Sequence, residues 1–152
     1  KERAEQAWVT KEIVELLNRS TDLMHVGEVE TVKAGKLAHL RTIIKGKIKS
    51  PLTTADIASV LHPTAAVCGY PKNLAYRYIE ENELLNRSLY SGYLGRVQKE
   101  SSDLYVNLRC MSYQNGMVKV YVGAGITADS HPEQESEEIR IKTSTLAAIL
   151  MA

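Results

Sequence analysis

Residues 62–71 read His-Pro-Thr-Ala-Ala-Val-Cys-Gly-Tyr-Pro, and this run constrains the fold more than any other segment of the chain. Proline fixes φ and removes a backbone donor, so Pro63 stiffens a turn that neither a helix nor a central strand can cross. Gly69 allows a second turn, and Pro71 is the residue type favoured at the first position of a helix. The chain is therefore divided here. On the near side Thr53 or Thr54 is expected to cap a short helix that ends at Leu61. On the far side a helix is expected from Pro71 to about Glu83, with Leu74, Ala75, Tyr78 and Ile79 as its buried stripe.

Upstream, Ala4, Ala7, Trp8, Val9, Ile13, Leu16 and Leu17 recur at helical spacing and predict an amphipathic helix over residues 2–18. Residues 20–26 read as a variable stretch, and residues 28–32 and 37–48 read as strands. Downstream, residues 90–97, 104–111 and 117–122 alternate in polarity, and Asn115-Gly116 is a hairpin signal, so an antiparallel meander is expected. Ser130-His131-Pro132-Glu133 has the spacing of a capping box and opens a last helix that runs to the C-terminus. This order of elements implies an α+β fold, an antiparallel sheet with helices on one face. No internal repeat is visible.

At 152 residues and 44% hydrophobic the chain suits one domain with an ordinary core. Nineteen basic residues against eighteen acidic leave a net charge of +1, so a charged partner must be held locally. His39, Arg41, Lys45 and Lys47 form a basic strand face, but no aromatics are interleaved with them, which argues against nucleic acid. Cys68 and Cys110 sit in apolar runs and read as small core residues of a reducing, cytoplasmic protein. With no long apolar span, no membrane partner is expected. A start at Lys1, inside a helical pattern and without methionine, leads to the expectation of a trimmed domain.

Chemistry is suggested where charges interrupt apolar stripes. Glu5 shares a stripe with Val9, Ile13 and Leu16, so a carboxylate points inward. At a helix start this is either a solvated, fraying residue or a carboxylate for metal or substrate. Glu135, Glu138, Lys142, Leu146 and Ile149 share one face of the last helix, half charged and half apolar. Glu138 and Lys142 are then either an ordinary i,i+4 pair or, with Glu135, part of an oxygen-donor site for a hard cation such as Mg²⁺. The strand reading of residues 104–111 sets Leu104, Val106, Leu108 and Cys110 inward and leaves Arg109 as a bidentate carboxylate clamp. His39 falls on a polar strand face, where a histidine is usually solvated. Gly123-Ala124-Gly125 follows a strand, where exposed N–H groups can meet an anionic oxygen. P-loop, H-E-x-x-H, G-x-S-x-G and C-x-x-C motifs are absent.

Taken in order, these segments resemble isochorismate synthase, a family of the chorismate-using enzymes. The opening K-E-R-A-E-Q is similar to that family's K-D-R-x-E-H, which places a Mg²⁺-binding glutamate at Glu5. The family's terminal E-x-x-E-x-x-x-K falls on Glu135, Glu138 and Lys142, with Glu138 as a metal ligand. The resemblance also implies that Lys142 and Arg109 bind substrate carboxylates and that the G-A-G-I turn of Gly123, Ala124 and Gly125 meets one through its backbone. His39 matches an active-site histidine, and the segment from Arg87 through Tyr90, Gly92 and Gly95 matches R-x-x-Y-x-G-x-x-G. The H-P-T form favours isochorismate synthase over salicylate, anthranilate and aminodeoxychorismate synthases. Gln6, Ala65 and Cys68 depart from the family pattern, which commonly has His, Pro, and Gly or Ser there.

What this resemblance implies is reversible conversion of chorismate to isochorismate with Mg²⁺, water adding at C2 as the C4 hydroxyl leaves. It implies a layered α/β/β/α fold of which residues 1–152 are the C-terminal part. The lysine base and glutamate acid are then expected in an N-terminal half outside this chain, so the chain alone is expected to be inactive and to self-associate. Menaquinone and siderophore pathways use the same reaction. The rival reading from another class is a non-catalytic α+β binding domain whose charged helix face is solvated.

Overall fold

The structure is a computed structural model that describes residues 2–34 and 37–150, with the side chains of Ala34, Leu37 and Ile149 outside the described set. Lys1, which opens the K-E-R-A-E-Q motif, and Ile149 on the apolar end of the last helix's face therefore lie outside what can be compared. The backbone forms two compact units, Lys1–Ile79 and Glu80–Ala152.

The first unit contains α1 (Glu2–Leu17), β1 (Thr21–Val26), β2 (Glu30–Ala34), β3 (Leu37–Arg41), β4 (Ile44–Ile48), α2 (Thr54–Leu61) and most of α3 (Lys72–Asn82). The long strand expected over residues 37–48 is two strands with different partners. β3 pairs antiparallel with β2 from Glu30↔Arg41 to Ala34↔Leu37, whereas β4 pairs antiparallel with β1 from Thr21↔Ile48 to Val26↔Ile44. β1 occupies the stretch that sequence left without an element. Its register shifts between Asp22 and His25, and Leu23 takes a left-handed φ of 52° and points out. A bulge of this kind breaks the period-two alternation by which strands are recognised.

α2 begins where expected. Thr53 is its N-cap: Asp56 N–H donates to Thr53 Oγ1 at 3.3 Å, and Asp56 Oδ2 accepts from Thr53 N–H at 2.7 Å. Pro71 precedes α3 directly, its carbonyl accepting from Leu74 and Ala75. The expected buried stripe of α3 needs correction, because Leu74 and Tyr78 are exposed and only Ala75 and Ile79 are half-buried. The spacing is right for a helix, but half of its apolar face is left uncovered among the described residues.

The second unit contains β5 (Tyr93–Val97), β6 (Ser102–Val106), β7 (Cys110–Gln114), β8 (Met117–Tyr121) and α4 (Pro132–Leu150). β5 and β6 pair from Tyr93↔Val106 to Val97↔Ser102, and β7 and β8 from Cys110↔Tyr121 to Gln114↔Met117. Asn115 and Gly116 both have positive φ, 52° and 77°, as a two-residue type I′ hairpin requires. The α+β class stands, but among the described residues the strands form four two-stranded sheets rather than one continuous meander. The strand expected over residues 104–111 stops at Val106 and resumes at Cys110. Leu108 N–H donates to Val106 O in a tight turn and Arg109 takes a φ of 49°, which no strand accommodates. α4 also starts later than its capping-box spacing implied. Pro132 is its first residue and His131 O accepts from Glu135 N–H, while Ser130 Oγ instead accepts from Thr127 N–H.

Candidate functional site

In the second unit two positions of the expected site, Glu138 and Gly123, meet at the ammonium group of a third, Lys142. Lys142, half-buried on α4, donates from Nζ to Glu138 Oε1 at 2.5 Å and to the carbonyl oxygen of Gly123 at 2.8 Å. The i,i+4 spacing on α4 makes the first contact, and the turn after β8 makes the second. An ammonium has three donors, so both bonds leave one for a ligand. Glu135 lies one turn before Glu138 and is 6% exposed. The Glu138–Lys142 pair expected from spacing is thus present, and it is tied to the glycine turn.

Tyr90 closes the other side of that turn. A Cβ built on Gly123 would lie 2.7 Å from the Tyr90 hydroxyl oxygen, so a larger residue there would have to displace the tip of that side chain. The Tyr90 ring stacks on Tyr121 of β8 with centroids 5.9 Å apart. Burial holds the Tyr90 phenol above its ordinary value of 10.0, so at neutral pH it carries its proton and can donate. Tyr90 was expected at the start of a strand. It sits instead in a turn closed by Tyr90 N–H donating to Arg87 O and Gly92 N–H to Leu89 O.

Arg109 was expected on a strand face. It is exposed in the turn between β6 and β7, with its positive φ stored next to Cys110, whose β-ladder partner is Tyr121. Left-handed φ in a non-glycine residue costs on the order of 1 kcal/mol or more, and such strain is concentrated at functional positions.

In the first unit, Glu5 is half-buried on the first turn of α1, as its stripe implied. Gln6, which stands where the family commonly has histidine, donates from Nε2 to Thr42 Oγ1 at 3.1 Å. His39 is exposed on β3, opposite Val32 of β2. The turn of residues 62–71 is bound to α1 by two contacts that sequence reading missed. Glu12 Oε2 accepts the Ala65 N–H at 2.6 Å, and Trp8 stacks on Tyr70 with centroids 5.2 Å apart. The signal was available: Glu12 lies seven residues after Glu5, on the same helical face.

Among the described residues no group of three or more His, Cys, Asp or Glu side chains is arranged as a metal centre. Mg²⁺ does not require one, because it keeps several waters and takes one or two carboxylates. Glu135 and Glu138, one turn apart on α4, offer the hard oxygen donors that suit it. No helix is long and apolar enough to cross a membrane, among the described residues.

The chain belongs to the chorismate binding enzyme family, whose model matches residues 1–151. Its relatives include the vibriobactin-specific isochorismate synthase of Vibrio cholerae, 31% identical over 97% of this chain and 38% of that protein. The isochorismate synthase MenF of Escherichia coli is 34% identical over 99% of this chain and 35% of its own length. The solved structure of that menaquinone-specific enzyme superposes with a TM-score of 0.90 at 32% identity, again over 99% of this chain and 35% of the other. The chain therefore spans between a third and two fifths of the relatives it matches.

Proposed function

We propose that residues 1–152 form part of an isochorismate synthase and supply its substrate-carboxylate and metal-binding elements. The observation that carries this reading is the Lys142 ammonium shared between Glu138 and the Gly123 carbonyl, because it joins three positions that the resemblance assigns to one site. Lys142 offers its remaining donor to a carboxylate of chorismate, and Arg109 offers a planar fork to the second carboxylate. The backbone N–H groups of Gly123, Ala124 and Gly125 and the protonated Tyr90 hydroxyl are further donors to the bound anion. His39 is assigned to the same substrate.

Glu5, Glu135 and Glu138 hold Mg²⁺ in this reading. When bound, the cation neutralises a substrate carboxylate and fixes its orientation. Glu138 serves both groups, since a carboxylate has about four lone-pair sites and Lys142 needs only one. The base that activates water and the acid that releases the C4 hydroxyl are not assigned to any residue of this chain.

The test uses the full-length protein that carries this chain. Incubation with chorismate and Mg²⁺ yields isochorismate, the same equilibrium is reached from isochorismate, and a chelator stops the reaction until Mg²⁺ is returned. Glu138→Gln keeps the shape but removes the charge, and abolishes Mg²⁺-dependent turnover. Arg109→Ala removes the fork and raises KM about 10- to 100-fold, the worth of a charge-assisted bond. Salicylate or an aminated product would assign the chain to another chorismate-using synthase. No turnover of chorismate would leave the non-catalytic reading.

A further inference from the structure

The one buried residue of α1, among those described, is not apolar. Glu12 is 4% exposed, its Oε2 accepts the Ala65 N–H at 2.6 Å, and its Oε1 has no hydrogen-bond partner among the described residues. A buried carboxylate is costly even when it is bonded, so an apolar residue would be the better filler at this position. What an apolar residue cannot do is hold the Ala65 N–H.

That N–H stands at the head of a folded run. Val67 and Cys68 N–H both donate to Thr64 O, and Gly69 N–H donates to Ala65 O. The tail of the run is gripped by the same helix, where Trp8 stacks on Tyr70 and the Lys11 ammonium lies over both rings. Trp8 and Glu12 are four residues apart on one face of α1. Successive turns of α1 thus fasten both ends of the run, and the first turn of that helix carries Glu5.

We propose that Glu12 is a positioning residue: by taking the Ala65 N–H, its carboxylate sets residues 64–70 in register with the helix that presents Glu5. The device needs both positions. Without Glu12 the Ala65 donor has no acceptor, and without an N–H at residue 65 the carboxylate is a buried charge with no donor. Proline at residue 65 has no N–H to donate and would abolish the bond, so the pairing needs both Glu12 and a non-proline residue at 65.

The test is a double-mutant cycle in the full-length protein with Glu12→Ala, Ala65→Pro and both changes together. It is read by amide exchange at Val67, Cys68 and Gly69 and by kcat and KM for chorismate. Each single change speeds exchange about tenfold and lowers kcat/KM by a similar factor, and the double variant is no worse than either single one, because each change already removes the same bond. Glu12→Gln, which keeps an acceptor oxygen, stays near the parent. Glu12→Leu, which only fills the space, behaves like Glu12→Ala in exchange and kinetics even where its thermal midpoint recovers. Additive single changes, or a Glu12→Leu protein with parental exchange, would overturn the proposal. The kinetic arm rests on the function proposed above. A protein inert towards chorismate would defeat that function and leave the exchange cycle to decide the role of Glu12, and if Ala65→Pro does not fold, the contrast of Glu12→Gln with Glu12→Leu decides it.

Discussion

Gly123 shows how much a single residue type can carry. Its sequence context raises the expectation that backbone N–H groups approach an anion there, and the structure shows the Tyr90 hydroxyl in the space a Cβ would take. A shift of Tyr90 would disturb the stacking of its ring on Tyr121. Gly123→Ala should therefore destabilise by about 1–3 kcal/mol, the usual range for forcing a methyl group into a packed site. Adding Tyr90→Phe removes the colliding oxygen and should recover most of that loss. Thermal midpoints of the two variants check this, and a Gly123→Ala protein with the parental midpoint would mean that the turn relaxes freely. Arg109 teaches the opposite lesson about legibility. Its residue type suggests a carboxylate clamp in the proposed function, but its left-handed φ was invisible, since alternating polarity gives the face of a residue only where a strand continues.

Elements with strong local signals were legible and those defined by distant partners were not. α1, α2 and α3 and the turn between β7 and β8 follow from periodicity, a capping threonine, a proline and Asn115-Gly116. β1 was missed because its bulge erases the alternation, and the break within residues 37–48 was missed because it reflects a change of partner from β2 to β4's neighbour β1. The segment that follows α3 is likewise set by a contact no period reveals. Arg87 donates from Nε to Glu83 Oε1 at 2.7 Å and from Nη2 to Glu83 Oε2 at 2.6 Å, and from Nη1 to the hydroxyl of buried Ser91. This fork holds the turn that presents Tyr90. The hydrogen bonds from Arg87 hold the Glu83 carboxyl below its ordinary value of 4.5. A carboxyl depressed in the folded state binds protons more readily when unfolded, so its contribution is complete above about pH 4.5 and is lost as pH falls through the lower folded value. Glu83→Gln should cost about 1 kcal/mol at pH 7, allowing for partial exposure of the pair. The difference between the parent and the variant should shrink below pH 4.5. Denaturant midpoints at pH 7 and near pH 3 test it, and a gap that persists in acid would show that packing rather than charge holds the turn.

At the scale of the whole chain the notable quantity is uncovered apolar surface. Leu146, 7% exposed, is the one buried hydrophobic side chain among the described residues, whereas Leu84, Leu85 and Leu89 are 99%, 71% and 79% exposed. Val97, Tyr113 and Met117 on the strands are exposed as well. Every sheet has two strands, so each strand has one edge without a ladder partner among the described residues. Open edges and apolar patches of this kind are satisfied by other chains when nothing else covers them. The chain covers only 38% and 35% of the length of the two relatives matched, and in the proposed function their remaining length corresponds to the natural cover. Residues 1–152 expressed alone should therefore form dimers or larger assemblies that bury well over ~1,000 Å², and should not convert chorismate. Light scattering across a concentration series measures the first and a product assay the second. A monomer at high concentration, or turnover by the isolated chain, would mean that its exposed leucines and open strand edges need no cover.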